Sequence, residues 1–373
     1  MGKKIISLAD PALGDEEKQS LTEVIDSGWL TMGERVRRFE CEFAKMHEME
    51  EAVAVSSCTA GLHLCLAALG IGPGDEVLVP SLTFVATVNA VLYTGARPVF
   101  VDIESIHCPH ISIEDARKKV TEKTKAVILM HYGGYLVDMT RWSNFSKEFG
   151  LFIIEDAAHA PGGKGIGQKS HGAAFSFFTN KNMTTAEGGM VISKNREFLS
   201  KVRSMRSHGM TTLTLERYKG HAYSYDVTML GYNYRMDELR AALGLSQIGR
   251  LEKWNEKRRH LSDHYRFLIN KLCSQVQVPF NSDWPTCAHL MAVILPDNTD
   301  RNHIMQKLRD EGIQSSIHYP PIHGFSHYRR LFPDIRLPIT EEFCNRELTL
   351  PLHPGLDKTS IEYIIRTLSS CLG

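Results

Sequence analysis

Lys181 sits in the stretch Phe175-Ser176-Phe177-Phe178-Thr179-Asn180-Lys181-Asn182-Met183-Thr184-Thr185-Ala186-Glu187-Gly188-Gly189-Met190, with apolar and small polar residues on both sides. An amine in such company can be desolvated in a pocket, and desolvation lowers its pKa toward the neutral, nucleophilic form. That form suits a Schiff base with a carbonyl compound. A solvated loop lysine between two strands fits the same residues, since most lysines are exposed. The chemistry elsewhere in the chain has to decide.

Two further stretches bear on that choice. Ser56-Ser57-Cys58-Thr59-Ala60-Gly61 lies between a strand-like run and a helix. Its small residues admit a ligand to the backbone, the helix start offers N–H groups and partial positive charge, and Thr59 adds a hydroxyl. This is a phosphate cradle or, more simply, a helix capped by Ser57 or Thr59. Ile153-Ile154-Glu155-Asp156-Ala157-Ala158-His159 puts two acids at the C-terminal end of an apolar strand, where ligands bind in open α/β sheets. One carboxylate there can pair with a protonated ring nitrogen and keep a pyridine cofactor an electron sink, with His159 flat on the ring. An acid capping the next turn and a packed histidine fit equally well.

Three other motifs carry less. Gly162-Gly163-Lys164-Gly165-Ile166-Gly167 lacks both Walker spacing and the GxGxxG pattern, so turn chemistry explains it. His318-Tyr319-Pro320-Pro321-Ile322-His323 and His107-Cys108-Pro109-His110 contain metal-ligand residue types without zinc spacing, and no metal is expected. The first reads as a rigid loop facing a pocket, the second as surface.

The 373 residues suffice for two domains, or for one domain with an appendage. Lys+Arg and Asp+Glu both number 43, so an anionic ligand must be held locally. Neither a nucleic-acid nor a membrane partner is expected. The eight cysteines are scattered without a CxxC pair, which reads as free thiols in a reducing cytoplasm. The first residues lack a signal-peptide pattern, and no apolar run reaches transmembrane length.

The elements that must position these residues alternate. Short apolar runs at 52–56, 76–79, 98–101, 126–130 and 151–154 read as buried strands, and helical patterns separate them at 59–69, 83–93, 112–121 and 140–149. This predicts an α/β fold with a mostly parallel sheet between helices. Runs at 173–177 and 190–193 bracket Lys181. A polar, aromatic-rich connection at 208–231 is long enough to be functional or disordered. A long helix is expected from Asp237 toward Leu272, followed by a strand at 287–295, a helix at 301–311, a strand at 313–318 and a terminal helix from Ser360. The expected division is a large domain over 1–248 and a smaller α+β domain over 249–373.

In order, the phosphate cradle, strand-end acid, serine and lysine resemble those of fold-type-I pyridoxal-phosphate enzymes of the aspartate aminotransferase superfamily. More specifically, the chain resembles the DegT/DnrJ/StrS family of sugar aminotransferases. Ser27-Gly28-Trp29-Leu30-Thr31, Gly70-Ile71-Gly72-Pro73-Gly74-Asp75-Glu76-Val77, Pro80-Ser81-Leu82-Thr83-Phe84-Val85-Ala86-Thr87, Glu155 to His159, the Lys181 stretch and Gly231-Tyr232-Asn233-Tyr234-Arg235-Met236 carry the likeness.

The resemblance implies a seven-stranded-type sheet, with pyridoxal 5'-phosphate bound covalently by Lys181 and pyridoxamine phosphate as the aminated form. It implies Asp156 on the pyridine nitrogen, His159 and Phe84 on the two ring faces, and Thr59, the Ala60 backbone and Ser176 on the phosphate. Asn233 is implied to reach the phosphate of a neighbouring subunit, giving a homodimer with shared active sites. Trp29, His318 and Tyr319 border the substrate pocket, and Arg217 and Lys219, with Arg206 and His221, supply charge for a diphosphate. The implied reaction moves an amino group from glutamate to a nucleotide-linked keto-deoxysugar. A free cyclitol ketone or other keto compound is the alternative acceptor, and a non-catalytic sensor the alternative of another class. The family's dehydratases carry histidine in place of the lysine, and Lys181 argues against that branch. One departure is Cys58, where the family often has glycine; a positive φ there would strain cysteine.

Overall fold

A computed structural model describes residues 5–211 and 226–372. Two helices open the fold, α1 (Asp15–Ser27) and α2 (Glu34–Met46). The alternating region follows as β1 (Ala52–Val55), α3 (Cys58–Ala68), β2 (Glu76–Pro80), α4 (Val85–Tyr93) and β3 (Arg97–Val101). After a hairpin of β4 (Ile103–Ser105) and β5 (Cys108–Ile111) come α5 (Ile113–Lys119), β6 (Thr124–Met130), α6 (Met139–Phe149) and β7 (Phe152–Asp156). β8 (Gly172–Ser176) and β9 (Gly189–Ile192) flank the Lys181 loop, and α7 (Arg196–Met205) follows.

The sheet has seven strands in the order β1-β9-β8-β7-β6-β2-β3. The pairs from β3 through β8 are parallel, and β9 runs antiparallel to both β8 and β1. The strands are apolar throughout because both faces are covered. Val79, Ile128 and Ile154 pack toward Leu62 and Val88, whereas Leu78, Leu129 and Ile153 pack toward Trp142 and Phe145. Phe175 and Phe177 meet Phe39 and Phe43 of α2. A strand exposed on one side would alternate instead.

Beyond the sheet lie α8 (Glu238–Ile248), α9 (Leu251–Leu272), β10 (Met291–Ile294), α10 (Arg301–Asp310), α11 (Ser326–Leu331), α12 (Pro338–Arg346), β11 (Glu347–Leu350) and α13 (Lys358–Leu372). β10 and β11 pair antiparallel, and Leu261, Tyr265, Val293, Leu308, Ile361, Ile364 and Ile365 form a separate core. The first described residues join this C-terminal unit: Ile6 N–H donates to Gly312 O at 2.8 Å, and Gln314 N–H to Ile6 O at 3.0 Å.

The structure departs from the sequence expectations in four places. The long helix from Asp237 is two helices interrupted at Gly249–Arg250; apolar spacing continues across the break and conceals it. The strand at 287–295 is confined to Met291–Ile294. The segment 313–318 makes only single bridges, Ile313 to Ile6 and Ser316 to Thr349. Finally, His110 is not surface. It is buried, its Nε2 lies 3.0 Å from Tyr135 O, and burial holds its pKa down to about 3. The β4–β5 hairpin turns it inward against Phe280.

Candidate active site

The parallel strands end along one edge, and a cavity of about 380 Å³ opens there. Its walls come from the β1–α3 turn (Ser57, Cys58, Thr59), the start of α4 (Phe84, Ala86), the ends of β6, β7 and β8 (Met130, Asp156, Ser176), the Lys181 loop and the His318–Tyr319 segment. Residues from Ser57 to Gly188 meet because a parallel sheet collects its strand ends on one side, and His318 and Tyr319 are laid over them by the C-terminal part of the chain.

Lys181 is held by its neighbours rather than by its own side chain. Asn182 is buried; its Nδ2 donates to Asn255 Oδ1 and Cys287 O, both at 2.8 Å, and its Oδ1 lies 2.9 Å from His289 Nδ1. Thr184 N–H donates to Gln247 Oε1 at 2.9 Å, and Thr185 N–H to Phe177 O at 2.9 Å. The loop returns to β9 at Gly189, where a Cβ would meet Ser57 C at 2.6 Å and Cys58 N at 2.7 Å. Only glycine lets β9 approach the start of α3 so closely. Burial lowers the Lys181 amine to about 8, with Asp156 pulling the other way. It is therefore far nearer to its nucleophilic form than an ordinary lysine.

Asp156 projects from the end of β7. Its Oδ2 accepts the Thr87 hydroxyl at 2.7 Å and its Oδ1 the Ala158 N–H at 3.1 Å. Thr87 Oγ1 lies 2.6 Å from Thr83 Oγ1, so α4 braces the carboxylate from behind. Cys58 Sγ is 3.9 Å from Asp156 Oδ1, and burial raises the thiol well above its ordinary range. Cys58 is not among the positive-φ residues; it opens α3 without the strain that its replacement of glycine would otherwise suggest.

His159 is buried, and Gly133 N–H donates to its Nδ1 at 3.2 Å. Nε2 therefore carries the proton and donates to the Tyr319 hydroxyl at 2.9 Å. Burial, with Lys181 and His318 nearby, holds His159 well below the usual histidine range, so the ring is neutral. Phe84, 53% exposed, also lines the cavity, with its ring centroid 5.9 Å from that of Tyr319.

At the far end Ser57 caps α3, accepting the Ala60 N–H at 3.1 Å. The Ala60 amide expected on a phosphate is thus taken by the cap, and Ala60 lies behind the cavity wall. The Thr59 and Ser176 side chains line that end. Asn180 also lines the cavity, and its buried Oδ1 has no protein partner.

Other expected residues lie elsewhere. Trp29 does not line the cavity, because its indole packs over Gly33. Asn233 is exposed and outside this chain's own cavity, bridged to Ser207. Arg206 does not offer charge to a ligand, since it is buried with its Nη1 2.5 Å from Glu40 Oε1 and Ala54 O. Arg217, Lys219 and His221 fall outside the described residues. Among the described residues no group of three or more His, Cys, Asp or Glu is arranged for a metal ion, and no helix is long and apolar enough to cross a membrane. Thr87, Asn182, His289 and Glu347 were not singled out from sequence; nothing in local spacing marks residues that act through partners distant in the chain.

The residues fit pyridoxal phosphate. A desolvated amine and a strand-end carboxylate share one cavity, a helix start and two hydroxyls contribute to its wall, and Asn180 on that wall carries a buried oxygen with no protein partner. Comparison with known proteins agrees. Over 371 residues the chain is 36% identical to the spore coat polysaccharide biosynthesis protein SpsC of Bacillus subtilis, covering 96% of this chain and 95% of that protein. Its fold superimposes with a TM-score of 0.91 on Helicobacter pylori PseC, an aminotransferase of pseudoaminic acid biosynthesis, at 27% identity and 99% coverage of both chains. The putative sugar aminotransferase Spr1654 of Streptococcus pneumoniae, solved in its PLP form, gives 0.91 at 28% identity over 99% of this chain and 98% of that one. The sequence pattern of the DegT/DnrJ/EryC1/StrS aminotransferase family matches residues 11–369, and the chain belongs to that family of pyridoxal-phosphate enzymes.

Proposed function

We propose that this aminotransferase takes an amino group from glutamate and delivers it to the ketone of a nucleotide-linked deoxysugar, in glycan, O-antigen or aminosugar assembly. The observation that carries the reading is the desolvated Lys181 amine sharing one cavity with Asp156, under a separate wall formed by His318 and Tyr319. The names of SpsC and PseC, tied to a polysaccharide and to pseudoaminic acid, support the sugar class.

Bound there, pyridoxal phosphate supplies a carbonyl for an amine and a ring that accepts the electron pair released at the substrate carbon. The chain's own residues do the rest. Lys181 Nζ would hold the carbonyl and, when free as an amine, would carry the proton to and from the reacting carbon. Asp156 pairs with the ring nitrogen, and Thr87 holds that carboxylate in place. Thr59, Ser176 and the start of α3 bind the phosphate. Neutral His159 would lie on one ring face without adding a competing charge, and Phe84 would cover the other. Tyr319 spends no proton on His159, which donates to it, so its hydroxyl is free to donate to the acceptor.

The proposal extends to a homodimer in which exposed Asn233 reaches the partner's phosphate, to a diphosphate contact by Arg217 and Lys219, to domains over 1–248 and 249–373, and to a cytoplasmic site of action. A half-reaction panel tests the substrate. The enzyme is first converted to its amino form with glutamate, and nucleotide-ketosugars and free cyclitol ketones are then offered separately. Recovery of the aldehyde absorbance with nucleotide-ketosugars is expected; recovery with free cyclitols alone overturns the reading.

A further inference from the structure

His318 is clamped from three sides. Its N–H donates to Glu347 Oε2 at 2.8 Å, its carbonyl accepts the Tyr132 hydroxyl at 2.5 Å, and its Nδ1 lies 2.9 Å from Thr349 Oγ1. Thr349 Oγ1 lies in turn 2.5 Å from Glu347 Oε1. With Nδ1 committed to Thr349, Nε2 is the ring nitrogen left for the cavity that His318 lines. Glu347 is fully buried. Arg301 donates to its backbone carbonyl rather than to its carboxyl.

The hydroxyl between them has a single proton, which fixes the direction of the chain. With Glu347 ionised, Thr349 must donate to it, so Thr349 accepts from His318 Nδ1–H and Nε2 is a bare lone pair. With Glu347 protonated, the carboxyl donates to Thr349, Thr349 donates to a bare Nδ1, and Nε2 carries the proton. We propose that Glu347 and Thr349 are positioning residues that set the tautomer of His318, and that the three side chains relay a proton between the cavity and the buried carboxyl. A proton arriving at Nε2 is matched by transfer of the Nδ1 proton to Thr349 Oγ1 and of the Thr349 proton to Glu347 Oε1. The imidazole is neutral before and after, and the reverse sequence returns the proton to the cavity. The value of this to the reaction rests on His318 facing the acceptor, as proposed above.

The surroundings agree. Burial raises Glu347 to about 8, against the pull of Thr349, the His318 N–H and Arg301. Burial and Lys181 hold His318 down to about 4, so a charged imidazole is not the competing state. Tyr132, Tyr319 and Cys344 also face Glu347, and all three are raised by burial. His159 and His289 face His318, and burial keeps both neutral. Lys181, the other group near 8, is engaged by the cofactor in the holoenzyme.

The test is the imidazole nitrogen spectrum of ¹⁵N-histidine-labelled holoenzyme from about pH 6 to about pH 9.5, with His318 assigned through His318→Asn. The expected result is Nε2–H below about 8 and Nδ1–H above it. Glu347→Gln should hold Nε2–H throughout: its carbonyl must accept from the His318 N–H, so its NH₂ donates to Thr349 at every pH. Thr349→Ser should keep the switch, and Thr349→Val should abolish its pH dependence. One tautomer across the whole range in the wild type, or a Glu347→Gln enzyme that still switches, overturns the relay. Failure of the substrate reading looks different: the switch persists, but His318→Asn leaves the acceptor half-reaction unchanged.

Discussion

Glu155 and Asp156 are adjacent acids on one buried strand, and they do opposite things. Strand geometry turns successive side chains to opposite faces. Glu155 faces a broad hollow of about 710 Å³, yet it is 0% exposed and each oxygen is already taken. Its Oε1 accepts Gly167 N–H at 2.7 Å and the Ser170 hydroxyl at 2.5 Å. Its Oε2 accepts His131 Nε2–H at 2.9 Å, a tautomer set by Val137 N–H on Nδ1 at 3.1 Å. Asp156 faces the 380 Å³ cavity with donors behind it and open space ahead. A buried acid whose capacity is spent on the fold is structural, whereas one oriented but left with an open side is poised for a ligand.

Three experiments press on that contrast, and a fourth probes the buried acid Glu347. The largest effect belongs to the cavity face. Lys181→Ala should lower transamination by about a thousandfold or more, read in the glutamate half-reaction, and borohydride should no longer fix the cofactor to the chain. Asp156→Asn should cost on the order of a hundredfold in kcat with an unchanged melting curve, because an amide keeps the Thr87 contact but not the charge. Glu155→Gln should act the other way, costing about 2 kcal/mol in urea unfolding while kcat is kept. A folded Glu155→Gln enzyme that is inactive would collapse the distinction between the two faces.

The finest test uses pH. Glu347 is raised in the fold from 4.5 to about 8, so the folded state favours its protonated form. Its contribution to stability is full below about 4.5 and is lost as pH rises to about 8. Over that window the urea midpoint of the wild type should fall relative to Glu347→Gln; parallel curves would show that the carboxyl does not titrate there.

Much of this was legible beforehand. The mostly parallel α/β sheet follows from apolar runs too uniform for a one-sided sheet, whereas its seven strands and the parts expected of Lys181, Asp156, His159, Thr59 and Ser176 came from the family resemblance; all five residues line one cavity. Helix continuity was not legible, since the break at Gly249–Arg250 leaves the apolar rhythm intact. The inward turn of His110 was hidden as well, because the four-residue strand β5 has too few positions to show a period.

Sequence by itself determined the amine, the pair of strand-end acids and the small-residue helix start, because local spacing dictates which side chains stand where a parallel sheet ends. Tertiary structure decided which acid looks into the cavity and how the neutral rings of His159 and His318 are oriented. Those outcomes depend on hydrogen-bond partners such as Gly133, Thr87 and Glu347, brought from up to 69 residues away in the chain, and on the desolvation that comes only when the core closes.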